Sequence, residues 1–319
     1  MLMTKIVDTV VVGAGVAGLS AALFLGRAGL STIIYDGGPQ RIMVVDRVRE
    51  YLGFDGLTPT EMLARLRGEV ACYGASIRQQ RVRRIESREN GLFDIWTADD
   101  MVTARTVVLA TGLVDELPLI QGIPEVWGRD LRVCPCFDGY EVRDQRFVVF
   151  GLPQRIAHMG AWVSMWSPQV SVVSKHAFNE ADAKKLRLLN ITVVQDEVTG
   201  LIHRDGRLAG VSTQSGTEIA CDATWVAMSY KATSNLAASL CDVDEAGLAQ
   251  TDAGGLTSRP GVFAIGNASA GGAWAHLAHA AAAGTNVGPL VTMYLLEARI
   301  ATRDVRVESI SDWSRQQHD

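Results

Sequence analysis

Apolar runs in this chain repeatedly end on glycine. Ile6 to Val12 is a β-rich apolar run that stops at Gly13-Ala14-Gly15-Val16-Ala17-Gly18, after which Leu19 to Ala28 follow a helical spacing. A second short strand, Ser31 to Tyr35, ends on Asp36 and Gly37. Strand, glycine turn, helix and strand in that order predict a βαβ unit. The strand-to-glycine sign recurs where Arg105 to Leu109 meets Ala110-Thr111-Gly112, and where Gly261 to Ile265 meets Gly266-Asn267. The middle third has a strand-glycine-helix pattern of its own: Phe147 to Phe150 leads into Gly151-Leu152-Pro153-Gln154-Arg155, with a further strand at Val170 to Val173. The pattern predicts an α/β protein in which one domain is inserted into another, with the outer domain over 1–117 and 246–319 and the inserted one over 118–245.

The first glycine turn has a mechanical reading at each position. Gly13 permits the tight turn, Gly15 lets backbone approach a pyrophosphate, and Gly18 lets helix and strand pack closely. Asp36, at the end of the next strand, stands where ribose hydroxyls are bound. Together these predict a dinucleotide site.

At 319 residues with 48% hydrophobic content, the chain can bury two sizeable cores. The net charge of −5 comes without any basic block, so no cationic footprint for nucleic acid is expected. No stretch approaches the roughly 20 apolar residues needed to span a bilayer, and the first nine residues read as a strand and not as a signal peptide. A soluble cytoplasmic protein with no nucleic-acid or membrane partner is expected. Five cysteines form an odd, sparse set. Cys72, Cys221 and Cys241 read as small buried hydrophobes, whereas Cys134 and Cys136 stand close together in Cys134-Pro135-Cys136.

The N-terminal glycine fingerprint, the Ala110-Thr111-Gly112 turn and the late Gly266-Asn267 together resemble the thioredoxin-reductase-like flavoproteins, over essentially the whole chain. The resemblance implies two Rossmann-like dinucleotide-binding domains, the second inserted into the first, with bound FAD. By the same resemblance FAD is held by Gly13, Gly15, Ala17, Gly18, Asp36, Gly37, Arg41, Ala110, Thr111, Gly112, Gly266, Asn267 and Ala278. The family usually has Asp where this chain has Asn267, which keeps a hydrogen-bonding side chain and drops a charge. Leu52 to Gly56, Asp115 to Pro118, Trp127-Gly128 and Gly139 to Asp144 bring the likeness closer to the small-molecule dithiol oxidases of gliotoxin and holomycin pathways.

Two departures matter. In thioredoxin reductases the inserted domain carries a second glycine fingerprint for NADPH and a His-Arg-Arg cluster for its 2′-phosphate. Here Pro153 takes the place of the second glycine, and Ser174-Lys175-His176 keeps scattered charge without an arginine pair. Proline adds bulk and removes an N–H where backbone must approach phosphate, so a remnant of the nucleotide site is expected.

The second departure is the cysteine segment. In the ungapped register, Cys134 takes the first position of the family's Cys-x-x-Cys, Phe137 takes the second and Cys136 sits one residue early. Three readings stand. Cys134 and Cys136 form a strained, oxidising redox disulfide; or one of them or neither acts, and substrate sulfur meets the flavin beside Phe137; or both are packing residues.

Asp138 lies where the family aspartate handles thiol protons, and it also suits a helix N-cap. The last helix, from about Trp274, carries His276 and His279, each a candidate second base or an ordinary packing residue; a metal site is not expected. The expected activity is oxidation of a small-molecule dithiol by a homodimeric flavoprotein with dioxygen as acceptor. An NAD(P)H-dependent flavin reductase and direct flavin oxidation without an enzyme disulfide are the alternatives.

Overall fold

The computed structural model describes residues 6–132, 134–272 and 276–315, so Trp274, the expected start of the last helix, lies outside the described residues. The chain divides into two compact units. The first holds the chain up to Arg41, Thr60–Val114 and the part from Lys231 onward; the second holds Ile42–Pro59 and Asp115–Tyr230.

In the first unit the strand Val7–Val12 is central. Thr32–Tyr35 and then Ser76–Arg78 lie on one side of it, and Met101–Leu109 on the other, all parallel. The long Met101–Leu109 strand has two partners on its far edge. Its first half pairs antiparallel with Phe93–Trp96, which pairs in turn with Arg84–Ser87, and its second half pairs parallel with Val262–Ala264. Near-continuous burial of the central strands explains why they read as unbroken apolar runs rather than alternating ones. The helix Val16–Arg27 packs on Leu277–Arg315 so closely that a Cβ on Gly284 would lie 2.2 Å from the Ala17 carbonyl.

The second unit repeats this order. Thr192–Val194, Val170–Val173, Phe147–Gly151 and Ala223–Ala227 lie side by side in parallel, with Leu131–Arg132 at the edge. In both units the strands run third, second, first, fourth, with an antiparallel excursion before the fourth; here the excursion is the sheet Val198–Arg204, Arg207–Thr213 and Glu218–Ala220. Each unit is therefore an α/β dinucleotide-binding fold. One face of the second unit's main sheet packs on the helices Pro153–Val163 and Glu180–Leu188, where Phe147 meets the fully buried Trp225 edge to face at 4.4 Å. That geometry adds about 0.5–1.5 kcal/mol beyond area burial.

The bounds of the two units differ from the expected ones. The chain returns to the first unit at Lys231, not 246, because Leu236 and Ala237 are buried in the same core as Val10, Tyr35, Val107 and Val262. Residues 42–59 leave the first unit altogether. They dock on the second, where a Cβ on Gly128 would lie 2.0 Å from the Val44 carbonyl and Arg49 pairs with Glu141 at 3.1 Å. Among the described residues no helix is long and apolar enough to cross a membrane.

Candidate functional site

In the first unit the predicted nucleotide residues converge because they follow adjacent parallel strands. Gly13 follows Val12, Asp36 follows Tyr35, Ala110 follows Leu109 and Ile265-Gly266 follows Ala264, all at the carboxyl end of one sheet. The loops are stitched together there: Gly13 N–H donates to the Tyr35 carbonyl (2.8 Å), Ala110 N–H to Val12 (2.8 Å) and Ile265 N–H to Leu109 (2.9 Å). Such a crevice is where open α/β sheets bind ligands.

The glycines divide by role. Gly13 has φ +114°, and a Cβ there would sit 2.2 Å from the Ala110 carbonyl oxygen; a Cβ on Gly18 would sit 2.0 Å from the Gly13 oxygen. Both are required by the protein itself. Gly15 is different, since the nearest atom to a Cβ there is Gln40 Cγ at 3.9 Å. Gly15 is also the N-cap of the Val16–Arg27 helix and makes no side-chain cap, so the first turn of that helix opens onto a space bounded by backbone N–H groups. That space fits a pyrophosphate. Ala17 and Gly18, just inside the helix, are buried.

Asp36 is buried and multiply held. Its carboxylate pairs with Arg67 Nη2 at 2.6 Å and accepts from Gln40 Nε2 at 2.9 Å, with Gln79 Nε2 at 3.4 Å. No motif pointed to Arg67, an arginine on the helix Pro59–Ala71, because the contact spans 31 residues. Gly37 lies against the Arg81 side chain. Asn267, with its amide oriented to satisfy both neighbours, donates from Nδ2 to the Gly272 carbonyl (3.2 Å) and accepts at Oδ1 from Arg41 Nη1 (3.3 Å). Two predicted cofactor residues are thus brought together. Thr233, which carried no motif signal, donates from Oγ1 to the Thr111 and Gly112 carbonyls at 2.8 and 3.0 Å and pins that turn.

The corresponding turn of the second unit keeps only its first glycine. Gly151 has φ +119°, and a Cβ there would lie 2.2 Å from the Ala227 carbonyl, the counterpart of Gly13 against Ala110. Pro153 then opens the helix, and Ile156, almost fully buried, holds the third glycine position. The nearby cations are engaged: Arg155 Nη1 donates to the Met228 carbonyl (2.7 Å) with its guanidinium over Tyr230, and Lys175 pairs with Glu197 at 3.0 Å. Ser174 Oγ donates to the His176 carbonyl at 2.9 Å.

Cys134 and Cys136 also belong to the second unit. Cys134 is the N-cap, in extended backbone, of the four-residue helix Pro135–Asp138, whose fixed first position Pro135 supplies. Both cysteines are half-buried and not joined by a disulfide. The two sulfurs share a hydrogen bond; that bond, then burial, then the charges of Cys134 and Glu50 push the Cys136 thiol well above the ordinary range.

Asp138 ends this helix instead of capping its start, which corrects the N-cap expectation. Its carboxylate pairs with Arg132 Nη1 at 3.2 Å, and burial raises its pKa despite that pairing. Glu50, which no motif singled out, bears on Cys136. His276 and His279 lie in the first unit, both exposed, with the His276 carbonyl accepting from Ala280 N–H (3.0 Å) at the head of the last helix. Ala278 is exposed in that first turn.

The remaining cysteines are not uniform. Cys221 is fully buried, and burial pushes its thiol up to about 12. Cys241 is half-buried, and Cys72 is exposed, which corrects its assignment as a buried hydrophobe: it falls at the outer end of its helix, with Sγ on the Gly68 carbonyl.

Comparison with known proteins agrees with this geometry. A family described as pyridine nucleotide-disulphide oxidoreductase matches residues 7–284. The thioredoxin reductase of Mycolicibacterium smegmatis is 26% identical over 275 residues, covering 82% of this chain and 88% of that protein. The bifunctional thioredoxin reductase/thioredoxin of Mycobacterium leprae is 28% identical over 281 residues, covering 82% of this chain but 60% of that longer protein. The crystal structure of HlmI superposes with a TM-score of 0.90 at 32% identity, covering 96% of this chain and 97% of that one.

Proposed function

The chain belongs to the pyridine nucleotide-disulphide oxidoreductase family, and from that premise we propose that it oxidises a small-molecule dithiol to a disulfide through Cys134 and Cys136. It is a thioredoxin-reductase-like oxidoreductase and a flavoprotein. The proposal adds the substrate class, the FAD form of the flavin and dioxygen as final acceptor. The observation that carries it is a pair of hydrogen-bonded thiols on a unit whose own nucleotide turn is filled by Pro153 and Ile156.

In the oxidised enzyme a substrate thiolate attacks the Cys134–Cys136 bond, forming a mixed disulfide and freeing one enzyme sulfur. The second substrate thiolate displaces the other, releasing the cyclised disulfide and leaving both cysteines reduced, with two electrons moved from substrate to enzyme. When bound, FAD supplies the acceptor for those two electrons and delivers them to dioxygen as hydrogen peroxide. Gly15 and the first turn of its helix would hold the pyrophosphate; Asp36, fixed by Arg67, would hold the adenosine ribose; and Asn267 would face the ribityl chain. His276 and His279 are candidate bases for the substrate thiols.

Two measurements test this reading. Incubation with simple dithiols in air should yield cyclic disulfide and hydrogen peroxide in equal amounts. In anaerobic stopped-flow, NADPH should bleach the flavin on the order of a hundredfold more slowly than a dithiol, because the second turn lacks the glycine approach and a free arginine pair. Fast, saturable bleaching by NADPH without dithiol turnover would return the chain to the reductases.

A further inference from the structure

Asp138, where the family pattern places the thiol acid, is committed to Arg132. A different carboxylate stands at the cysteines. Glu50 and Cys136 belong to the same unit, and a Glu50 carboxylate oxygen lies within 4.8 Å of Cys136 Sγ, the span of a hydrogen bond relayed by one water.

The loop that carries Glu50 is built to hold it there. Val48 N–H donates to the Leu57 carbonyl (2.8 Å), Gly56 N–H to the Val48 carbonyl (2.9 Å) and Glu50 N–H to Asp55 Oδ1 (2.9 Å), while Tyr51 stacks on Phe54 with centroids 5.1 Å apart. Arg49 ties the loop to Glu141, three residues beyond Asp138. Glu50 itself has φ +59°, a left-handed conformation that glycine, asparagine and aspartate adopt far more readily than glutamate. A long acidic side chain at such a position is a local conflict, and local conflicts concentrate at functional sites.

We propose that Glu50 is the proton partner of Cys136: its carboxylate keeps the proton on Cys136 while the pair is reduced, and it receives that proton when Cys136 must ionise. The step is a proton transfer alone. Cys136 S–H and Glu50 carboxylate become Cys136 thiolate and Glu50 carboxylic acid, no electron moves, and the reverse step protonates Cys136 as a leaving group. A carboxylate this close disfavours the Cys136 thiolate at equilibrium. Cys134 from its own segment and Glu50 from the loop both bear on Cys136; Asp138 faces Arg132, with Glu141 and Arg49 next to it. The proposal rests on the reading of Cys134 and Cys136 as the redox pair.

The test reads the proton and not the turnover. FAD-loaded enzyme is reduced with excess dithiol under anaerobic conditions, alkylated with iodoacetamide at a series of pH values above 8, where histidines are neutral, and each cysteine is quantified by peptide mass spectrometry. In Glu50→Gln, alkylation of Cys136 at a given pH should rise about tenfold, corresponding to one unit of apparent pKa. Glu50→Gly, which suits the left-handed backbone and secures the loop fold, should behave the same way, and Glu50→Asp should restore the parent profile. A Cys136 profile unmoved in both Gln and Gly variants, with FAD content retained, would overturn the proposal. A purely structural Glu50 predicts that result. If the profile moves but no dithiol is ever oxidised, the proton assignment stands and only the proposed activity fails.

Discussion

Serine at Cys134 or at Cys136 is expected to lower dithiol turnover by on the order of a thousandfold or more while leaving flavin bound, since each variant removes one of the two sulfurs that must exchange. The fold should not suffer. Both side chains are only half-buried, and the short helix that Cys134 caps and Cys136 lies in is set by Pro135 and by the Gly139 N–H to Pro135 carbonyl bond, neither of which uses a thiol. Reductive titration of the native protein supplies the quantitative companion: four electrons per chain if the pair closes as a disulfide, two for the flavin and two for the sulfurs, and two in either serine variant. Two electrons in the native protein together with active serine variants at both positions would eliminate the exchange mechanism and leave direct oxidation of substrate sulfur at the flavin beside Phe137.

The second large effect separates two glycines that look alike in sequence. Gly15→Ala should fold with near-parent stability, because its Cβ meets nothing nearer than Gln40 Cγ at 3.9 Å, yet it should weaken FAD binding roughly a hundredfold, about 2.7 kcal/mol, by occupying the space a pyrophosphate needs. Gly18→Ala should instead destabilise the fold itself by roughly 2–4 kcal/mol, because its Cβ would sit 2.0 Å from the Gly13 oxygen and force helix and strand apart. Thermal unfolding with and without added FAD, together with cofactor release followed by fluorescence, checks both. The idea fails if Gly15→Ala retains FAD as the parent does. Identification of the released flavin by mass spectrometry belongs to the same experiment, and FMN in place of FAD would remove the basis for the adenosine roles given to Asp36 and Arg67.

Much of the architecture was legible because it is written locally. The apolar runs ending at Gly13, Ala110 and Gly266 became adjacent parallel strands, and the run ending at Gly151 opened a second unit of the same order. Glycine positions under steric compulsion could be recognised without coordinates, since a turn that requires positive φ, as at Gly13, excludes almost every other residue. The meaning of Pro153 was equally local: a ring and a missing N–H obstruct phosphate wherever they occur in such a turn.

What was not legible depends on contacts between residues far apart in sequence. Arg67 meets Asp36 across 31 positions and Thr233 meets Thr111 across 122, and no periodicity or spacing encodes either pairing. The return of the chain at Lys231 was missed because the burial of Leu236 and Ala237 depends on a core assembled from segments far apart along the chain. Glu50, within 4.8 Å of Cys136, lies 86 positions from it along the chain and is equally invisible there.

By itself, then, the sequence determined the two nucleotide-type folds, the glycine turn able to hold a pyrophosphate, its loss in the inserted unit and the presence of two closely spaced cysteines, because each follows from backbone sterics or periodicity within a dozen residues. Only the tertiary structure decided that Arg132 claims the Asp138 carboxylate, that residues 42–59 dock on the inserted unit, and that Glu50 stands beside Cys136. The physical reason is that a carboxylate's partner is set by distance and burial in the assembled fold, and neither is a property of the carboxylate's neighbours along the chain.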